Sequence, residues 1–258
     1  MWLLFLGPAW GFFLLVLLAA AIAADELFRM THPGDPVARA VGILTTLGTA
    51  CSLYLWGHDP RALLSVLFVV PLLGLMMPLW RLGEIPSAAL RTFAGVTGPL
   101  YIGGLLTALA LLRRDAGDAG PGYVLMCLMF AWLADTGGYF FGRFLGKRKL
   151  YEAVSPKKTR AGFVGALVGA EVGGLLGHFF YLRSIPLAHV VPLALVAGAL
   201  GQCGDLVESL LKRSTGIKDS GSIVPGHGGM LDRIDALIVV APLVYLYLLW
   251  AGAPLSPH

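Results

Sequence analysis

The sequence predicts an all-α fold, a polytopic integral membrane protein with about eight transmembrane helices. Two observations carry this prediction. Hydrophobic residues make up 57% of the 258 and charged residues only 13%, with a mean hydropathy of +0.78, whereas a soluble domain has about 25% charged residues. Apolar runs near the roughly 20-residue length that crosses a bilayer also recur along the whole chain, with charges gathered between them.

Eight runs meet the length requirement: 2–24, 38–56, 62–80, 90–112, 122–142, 161–182, 187–211 and 235–251. The first has the look of a signal peptide. It lacks a basic leader and runs on to Ala24, so a retained helix is expected. Pro71, Pro78, Pro99, Pro192 and Pro242 fall inside runs, where they mean kinks repaired by neighbouring helices rather than turns. The sixth run places Gly165, Gly169, Gly173 and Gly177 four residues apart, so successive members drift only about 40° around a helix. Such a stripe lets backbones approach closely, either inside one molecule or at a homodimer seam. Glu171, His178 and His189 sit in or near apolar runs and are read as satisfied buried polar groups or interface residues. Cys51, Cys127 and Cys203 all lie in apolar runs, which excludes a disulfide framework or a metal-ligand spacing.

The chain divides into an N-terminal region of four spans, 1–120, and a C-terminal catalytic region of four, 121–258, with two motif loops. Of the 19 Lys and Arg residues, 15 fall in the odd-numbered loops. The positive-inside tendency then puts those loops in the cytoplasm and both termini outside, and the cell's inner (plasma) membrane is the expected location. The net charge of +4 reflects this topology, not a nucleic-acid partner.

Two stretches carry polar chemistry, and the topology puts both on the cytoplasmic side. The second runs from Gly201 to Asp235, a dense charge cluster between two membrane-length apolar runs. An ionisable group at mid-bilayer costs about 2.5–3.5 kcal/mol on insertion scales, so the cluster marks a polar site at a membrane face. Gln202, Asp205, Glu208, Ser209 and Lys212 recur at helical spacing and share a face. A Gly/Pro-rich loop, 216–229, then leads to Asp232-Arg233-Ile234-Asp235 at a helix start. Two helix ends thus present carboxylates to a loop rich in Lys, Arg and backbone N–H groups. Carboxylates hold a hard cation such as Mg²⁺, which shares its shell with phosphate oxygens. Lys, Arg and helix N-termini hold the phosphates. The combination reads as a metal–polyphosphate site.

The first stretch runs from Ala134-Asp135-Thr136-Gly137-Gly138 to Ser155-Pro156-Lys157-Lys158-Thr159. Asp135 is a lone carboxylate in an apolar run, either functional or a helix–helix hydrogen-bonding group. The 142–147 piece is not a P-loop: its glycines are too close, and Arg148 stands where Ser or Thr is needed. Lys147, Arg148 and Lys149 read as topology charge, whereas Ser155, Lys157, Lys158 and Thr159 form a denser donor set.

Ser209-x-x-Lys212-Arg213-x4-Lys218-Asp219-Ser220-Gly221 followed by Pro225-Gly226-His227-Gly228-Gly229-x-x-Asp232-Arg233-x-Asp235 resembles the C-terminal signature of the phosphatidate cytidylyltransferases, or CDP-diacylglycerol synthases. Ala134-Asp135-Thr136-Gly137, Gly142-Arg143 with Gly146-Lys147, Ser155 to Thr159, and Gly201-Gln202-x-Gly204-Asp205 match the same family. The likeness is strong over about 131–242; before that it is one of hydropathy only. It implies CTP and phosphatidate as substrates, a membrane-lipid setting, and Mg²⁺ or a similar ion, with a second cation left open. It also implies Asp205 and Asp232 as metal ligands, with Asp135, Glu208 and Asp235 as weaker candidates. Lys212, Arg213, Lys218, Asp219, His227 and Arg233 complete the expected catalytic set; Arg143, Ser155, Lys157, Lys158, Thr159, Gly228 and Gly229 are the expected substrate-binding residues. Ala161 stands where the family usually has Glu, and the chain is expected to lack the family's first span.

The implied chemistry suits the residues. A phosphatidate oxygen is already anionic and needs no strong base, so catalysis would rest on positioning and charge neutralisation. No Ser/His/Asp or Cys/His constellation is required, and His227, flanked by glycines, is read as a phosphate or ribose contact. The nearest alternative is a CTP-dependent polyprenol or dolichol kinase, which would yield CDP and no pyrophosphate. An ion-coupled transporter would explain Asp135 but not the cluster containing Lys, Arg and His227.

Overall fold

The structure, a computed structural model, describes residues 1–81, 83–221 and 228–251. Eight segments among them are long and apolar enough to cross a membrane, as the hydropathy runs predict. A short helix, α1 (Trp2–Phe5), precedes α2 (Ala9–Thr31), α3 (Pro36–Trp56) and α4 (Pro60–Trp80). The fourth span is assembled from pieces: a 3₁₀ turn, α5 (Ala88–Gly98), a π-helical stretch over Pro99–Leu105, and α6 (Leu106–Asp115). α7 (Gly120–Leu145) leads into an antiparallel hairpin, β1 (Lys149–Tyr151) and β2 (Ser155–Thr159). α8 (Arg160–Phe180), α9 (Leu187–Ser214) and α10 (Leu231–Trp250) complete the fold.

The first span differs from the 2–24 expected. Pro8 stands in extended conformation as the N-cap of α2, because a proline cannot continue a preceding helix. The span therefore starts at Ala9 and carries Asp25, Glu26 and Arg29 inside its last turns. Those charges are tolerated because they are paired: Asp25 binds Arg29 at 2.6 Å and also meets Arg39, while Glu26 is buried against the far end of the chain. The next two spans open as their sequence suggests. Asp35 and Asp59 accept from Ala38 N and Arg61 N at 3.0 and 2.9 Å, each with proline in the first turn. Asp35 also binds Arg81 at 3.0 Å and the buried Arg91 at 2.9 Å, tying the start of α3 to the end of α4 and to α5. Burial raises the Asp35 carboxyl, but the Ala38 N–H and the two guanidinium groups outweigh it and hold the pKa below the ordinary carboxylate range.

The glycine stripe of α8 is used inside the molecule. A Cβ on Gly165 or Gly169 would drive into the α7 backbone at Gly137 or Leu133, and one on Gly173 would lie 3.0 Å from the Met129 carbonyl. Side-chain-free surfaces thus bring α7 and α8 into backbone contact. His178 and His189 are satisfied, by Ile185 O at 2.9 Å and Tyr247 Oη at 3.0 Å. Glu171 is not satisfied in the same way, since its buried Oε1 has no hydrogen-bond partner among the described residues. The three cysteines are free thiols.

Candidate active site

The close approach of α7 and α8 opens into a cavity of about 350 Å³ at the hairpin end of the bundle. Asp135, Gly138, Tyr139, Gly142 and Arg143 come from α7, Lys157, Lys158 and Thr159 from β2, and Gly162 and Phe163 from α8. Gln202 and Asp205 of α9 close it. The hairpin, which hydropathy alone does not reveal, is what turns Lys157 and Lys158 back over the helices. Lys158 Nζ binds Asp205 Oδ2 at 2.8 Å and lies 3.3 Å from Gln202 O, joining the two motif stretches. Arg143 Nη1 donates to Tyr139 Oη at 2.9 Å. Thr159 has a second duty, since its Oγ1 accepts from Gly162 N at 3.1 Å and caps α8.

Asp235 belongs beside this cavity. A Cβ on Gly204 would sit 2.6 Å from the Asp235 carbonyl, which places α9 hard against α10 one residue from Asp205. Asp135, Asp205 and Asp235 act on one another electrostatically, with Lys158 as the cation among them. Asp135 thus lines the cavity in the company of the other two carboxylates. Three like charges in one place are held only where cations, water or ligand compensate them.

A second cluster is built around Lys212. Its Nζ lies 2.6 Å from Glu208 Oε2 and 2.5 Å from Asp232 Oδ1, bridging the end of α9 to the start of α10. Asp232 Oδ2 accepts from Ser220 N at 3.1 Å and Gly229 N at 2.7 Å, and Ser220 Oγ lies 2.9 Å away. A Cβ on Gly228, whose φ is +76°, would lie 2.7 Å from the Asp232 carboxylate, so glycine there lets the loop wrap the acid. Glu208 is fully buried, and its Oε1 has no hydrogen-bond partner among the described residues.

The predicted residues therefore fall into two groups. Asp135, Arg143, Lys157, Lys158, Thr159 and Asp205 share the cavity. Glu208, Lys212, Asp232, Gly228 and Gly229 form or frame the Lys212 cluster. Ser155 is half-buried in β2 and does not line the cavity, while Arg213, Lys218, Asp219 and Arg233 are exposed. His227 lies outside the described residues, as do Pro225 and Gly226. Asp205 and Asp232 are held by different lysines, and among the described residues no ready-made group of three metal-ligating side chains is present.

Glu26 is the residue the sequence reading passed over. It is 3% exposed, and its oxygens accept from Met230 N at 2.9 Å and Leu231 N at 2.8 Å. The signal for it existed: a carboxylate in a membrane helix is the same cue that singled out Asp135. It was hidden because the apolar run ends at Ala24, which placed Glu26 in a loop.

The sequence profile of the cytidylyltransferase family matches residues 1–251. The chain belongs to this family. Membership extends through the four N-terminal spans, where the motifs gave only a likeness in hydropathy. Among individual relatives, a Staphylococcus saprophyticus protein named phosphatidate cytidylyltransferase is 45% identical over 135 residues, 52% of this chain and 52% of its own. A Bacillus subtilis protein of the same name is 42% identical over 135 residues, 52% of this chain and 50% of its own. The chain spans about half the length of the curated relatives it matches.

Proposed function

We propose that this membrane protein transfers the cytidylyl group of CTP to phosphatidate, releasing pyrophosphate and forming CDP-diacylglycerol. The observation that carries the reading is the cavity in which Arg143, Lys157 and Lys158 stand beside Asp135 and Asp205. Cations there suit a triphosphate, and carboxylates suit the divalent ion that accompanies it. Family membership and the names of the relatives support the same reaction. The distribution of Lys and Arg supports a cavity that faces the cytoplasm, the source of CTP, and the cell's inner membrane is the setting proposed for it.

The donor set fits Mg²⁺. It is oxygen-rich and hard, and it offers few protein ligands, as Mg²⁺ prefers when phosphates supply the rest. Asp205 and Asp232 would hold the ion, with Asp135, Glu208 and Asp235 close to one or the other. When bound, the ion would neutralise charge on the α- and β-phosphates. Lys158 and Lys212 balance the carboxylates here and are phosphate-binding cations in their own right. Arg143 and Lys157 would orient the triphosphate so that its α-phosphorus meets the incoming phosphatidate oxygen in line with the leaving pyrophosphate. That oxygen is already anionic, so the attack forms one P–O bond, breaks another and moves no proton. This suits a site that shows no nucleophile–base pair among the described residues.

The test is release of pyrophosphate by detergent-purified protein given CTP, phosphatidate and Mg²⁺. Stoichiometric pyrophosphate and CDP-diacylglycerol are expected. Folded protein that releases none with phosphatidates of several chain lengths would overturn the reading.

A further inference from the structure

We infer that Glu26, on the first membrane span, is a positioning residue that fixes Asp232 and the start of α10 for the reaction. It acts from a part of the chain, α2, that contributes no residue to the cavity. The inference deepens the proposed function and rests on it only for its activity readout.

The geometry is specific. Oε1 takes Met230 N, and Oε2 takes Leu231 N, so the carboxylate occupies two amide donors at the mouth of α10. These are N-terminal amides that no helical carbonyl can satisfy, and an acid is favoured at that end by the helix dipole. Asp232 sits one residue further on and is itself occupied by the Ser220 and Gly229 amides. Glu26 thus supplies a cap that α10 lacks locally, since Met230 makes no side-chain cap.

Ser220 connects the two acids directly. Its Oγ is 3.0 Å from Glu26 Oε2 and 2.9 Å from Asp232 Oδ2. One hydroxyl carries one proton, so Ser220 links both carboxylates while donating to one at a time. The neighbouring glycines follow from this packing. A Cβ on Gly221 or Gly229 would drive into the Glu26 carboxylate, so the loop must present bare backbone there. Glu26, at 3% exposure, reaches its partners across about two hundred residues of sequence, and its other neighbours on α2, Leu27 and Phe28, are core residues. A carboxylate buried at that level is costly unless fully bonded. Here the bonds it makes are with the segment that carries Asp232.

The experiment uses full-length protein in detergent: wild type, Glu26→Gln and Ser220→Ala. In Glu26→Gln, one oxygen becomes an NH₂ facing amide donors. In Ser220→Ala, the link between the two acids is cut from the other side. Amide hydrogen exchange of peptides covering 228–236 should accelerate in both variants while exchange in α7 and α8 is unchanged. The kcat for pyrophosphate release should fall about tenfold or more, with KM for CTP within about threefold, because misplacing a catalytic group acts on turnover. Wild-type exchange in 228–236 in both variants would overturn the inference, as would wild-type kcat in Glu26→Gln. Should Glu26→Gln fail to fold, Ser220→Ala decides by the same exchange readout. Should wild type release no pyrophosphate, the proposed reaction fails, and exchange alone still decides whether Glu26 holds α10.

Discussion

The two carboxylate clusters at the hairpin end of the bundle are made from the same kinds of residue yet are completed differently. Asp205 has a third of its side chain exposed, contacts Lys158 with one oxygen, and has Ser209 Oγ no nearer than 3.4 Å to the other. Asp232 is more enclosed, at 15%, and both its oxygens are occupied by Lys212, backbone amides and Ser220. The first cluster opens on a cavity and has coordination to spare. The second is a closed joint between α9, α10 and, through Glu26, α2. One signature can thus hold an acid open to a cavity and an acid already bonded on both oxygens, and the partners of each tell them apart.

The largest effects should come from the two aspartates. Asp205→Asn should lower pyrophosphate release at least about a hundredfold, roughly 2.7 kcal/mol in barrier, while leaving the thermal midpoint unchanged. Asp232→Asn should lose as much activity and also melt earlier, because an amide cannot accept from all of the present donors. Equal stability in the two variants would break the contrast. A residual rate above about a tenth of wild type, roughly 1.4 kcal/mol, would remove that aspartate from the ion-binding role.

The lysines sharpen the comparison. Lys212→Met leaves the fully buried Glu208 and its neighbour Asp232 without their cation, and breaking a buried pair this way costs about 3–5 kcal/mol. Lys158→Met should cost less stability than Lys212→Met, because the Asp205 it leaves behind is more exposed than Glu208 and Asp232, but raise KM for CTP. Chemical denaturation and initial-rate kinetics on the same preparations would separate the two. A Lys158→Met protein less stable than Lys212→Met would reverse the assignment of open and closed.

The smallest effect concerns Ala161, beside the cavity-lining Gly162 and Phe163. Ala161→Glu should lower the Mg²⁺ needed for half-maximal rate modestly, about twofold, worth roughly 0.4 kcal/mol. A Mg²⁺ titration of both forms, with thermal stability alongside, checks it. A variant slower at every Mg²⁺ concentration yet equally stable would mean that no vacant Glu role exists at this position.

Much of this arrangement was legible in the chain. Hydropathy found the eight spans seen among the described residues, the proline and aspartate caps marked where α3 and α4 begin, and the stripe from Gly165 to Gly177 announced a close helix contact. The motif residues of the cavity were named, Asp135 because a carboxylate in an apolar run is conspicuous, and Arg143, Lys157, Lys158 and Thr159 with the help of the family resemblance. What the chain concealed depended on long-range contact. Nothing local says that Lys158 meets Asp205 while Lys212 meets Asp232, or that Lys157 and Lys158 ride on a hairpin. Glu26 was concealed for the same reason, since its partners lie at 220, 230 and 231.

The most direct test of the central claim follows the label of CTP into lipid. With CTP labelled at the α-phosphorus, the account predicts that radioactivity enters the organic phase as CDP-diacylglycerol in proportion to phosphatidate consumed. With CTP labelled at the γ-phosphorus, all of it should remain aqueous as pyrophosphate. Label from the γ-phosphorus in the lipid, with none from the α-phosphorus, would contradict cytidylyl transfer and identify phosphoryl transfer instead.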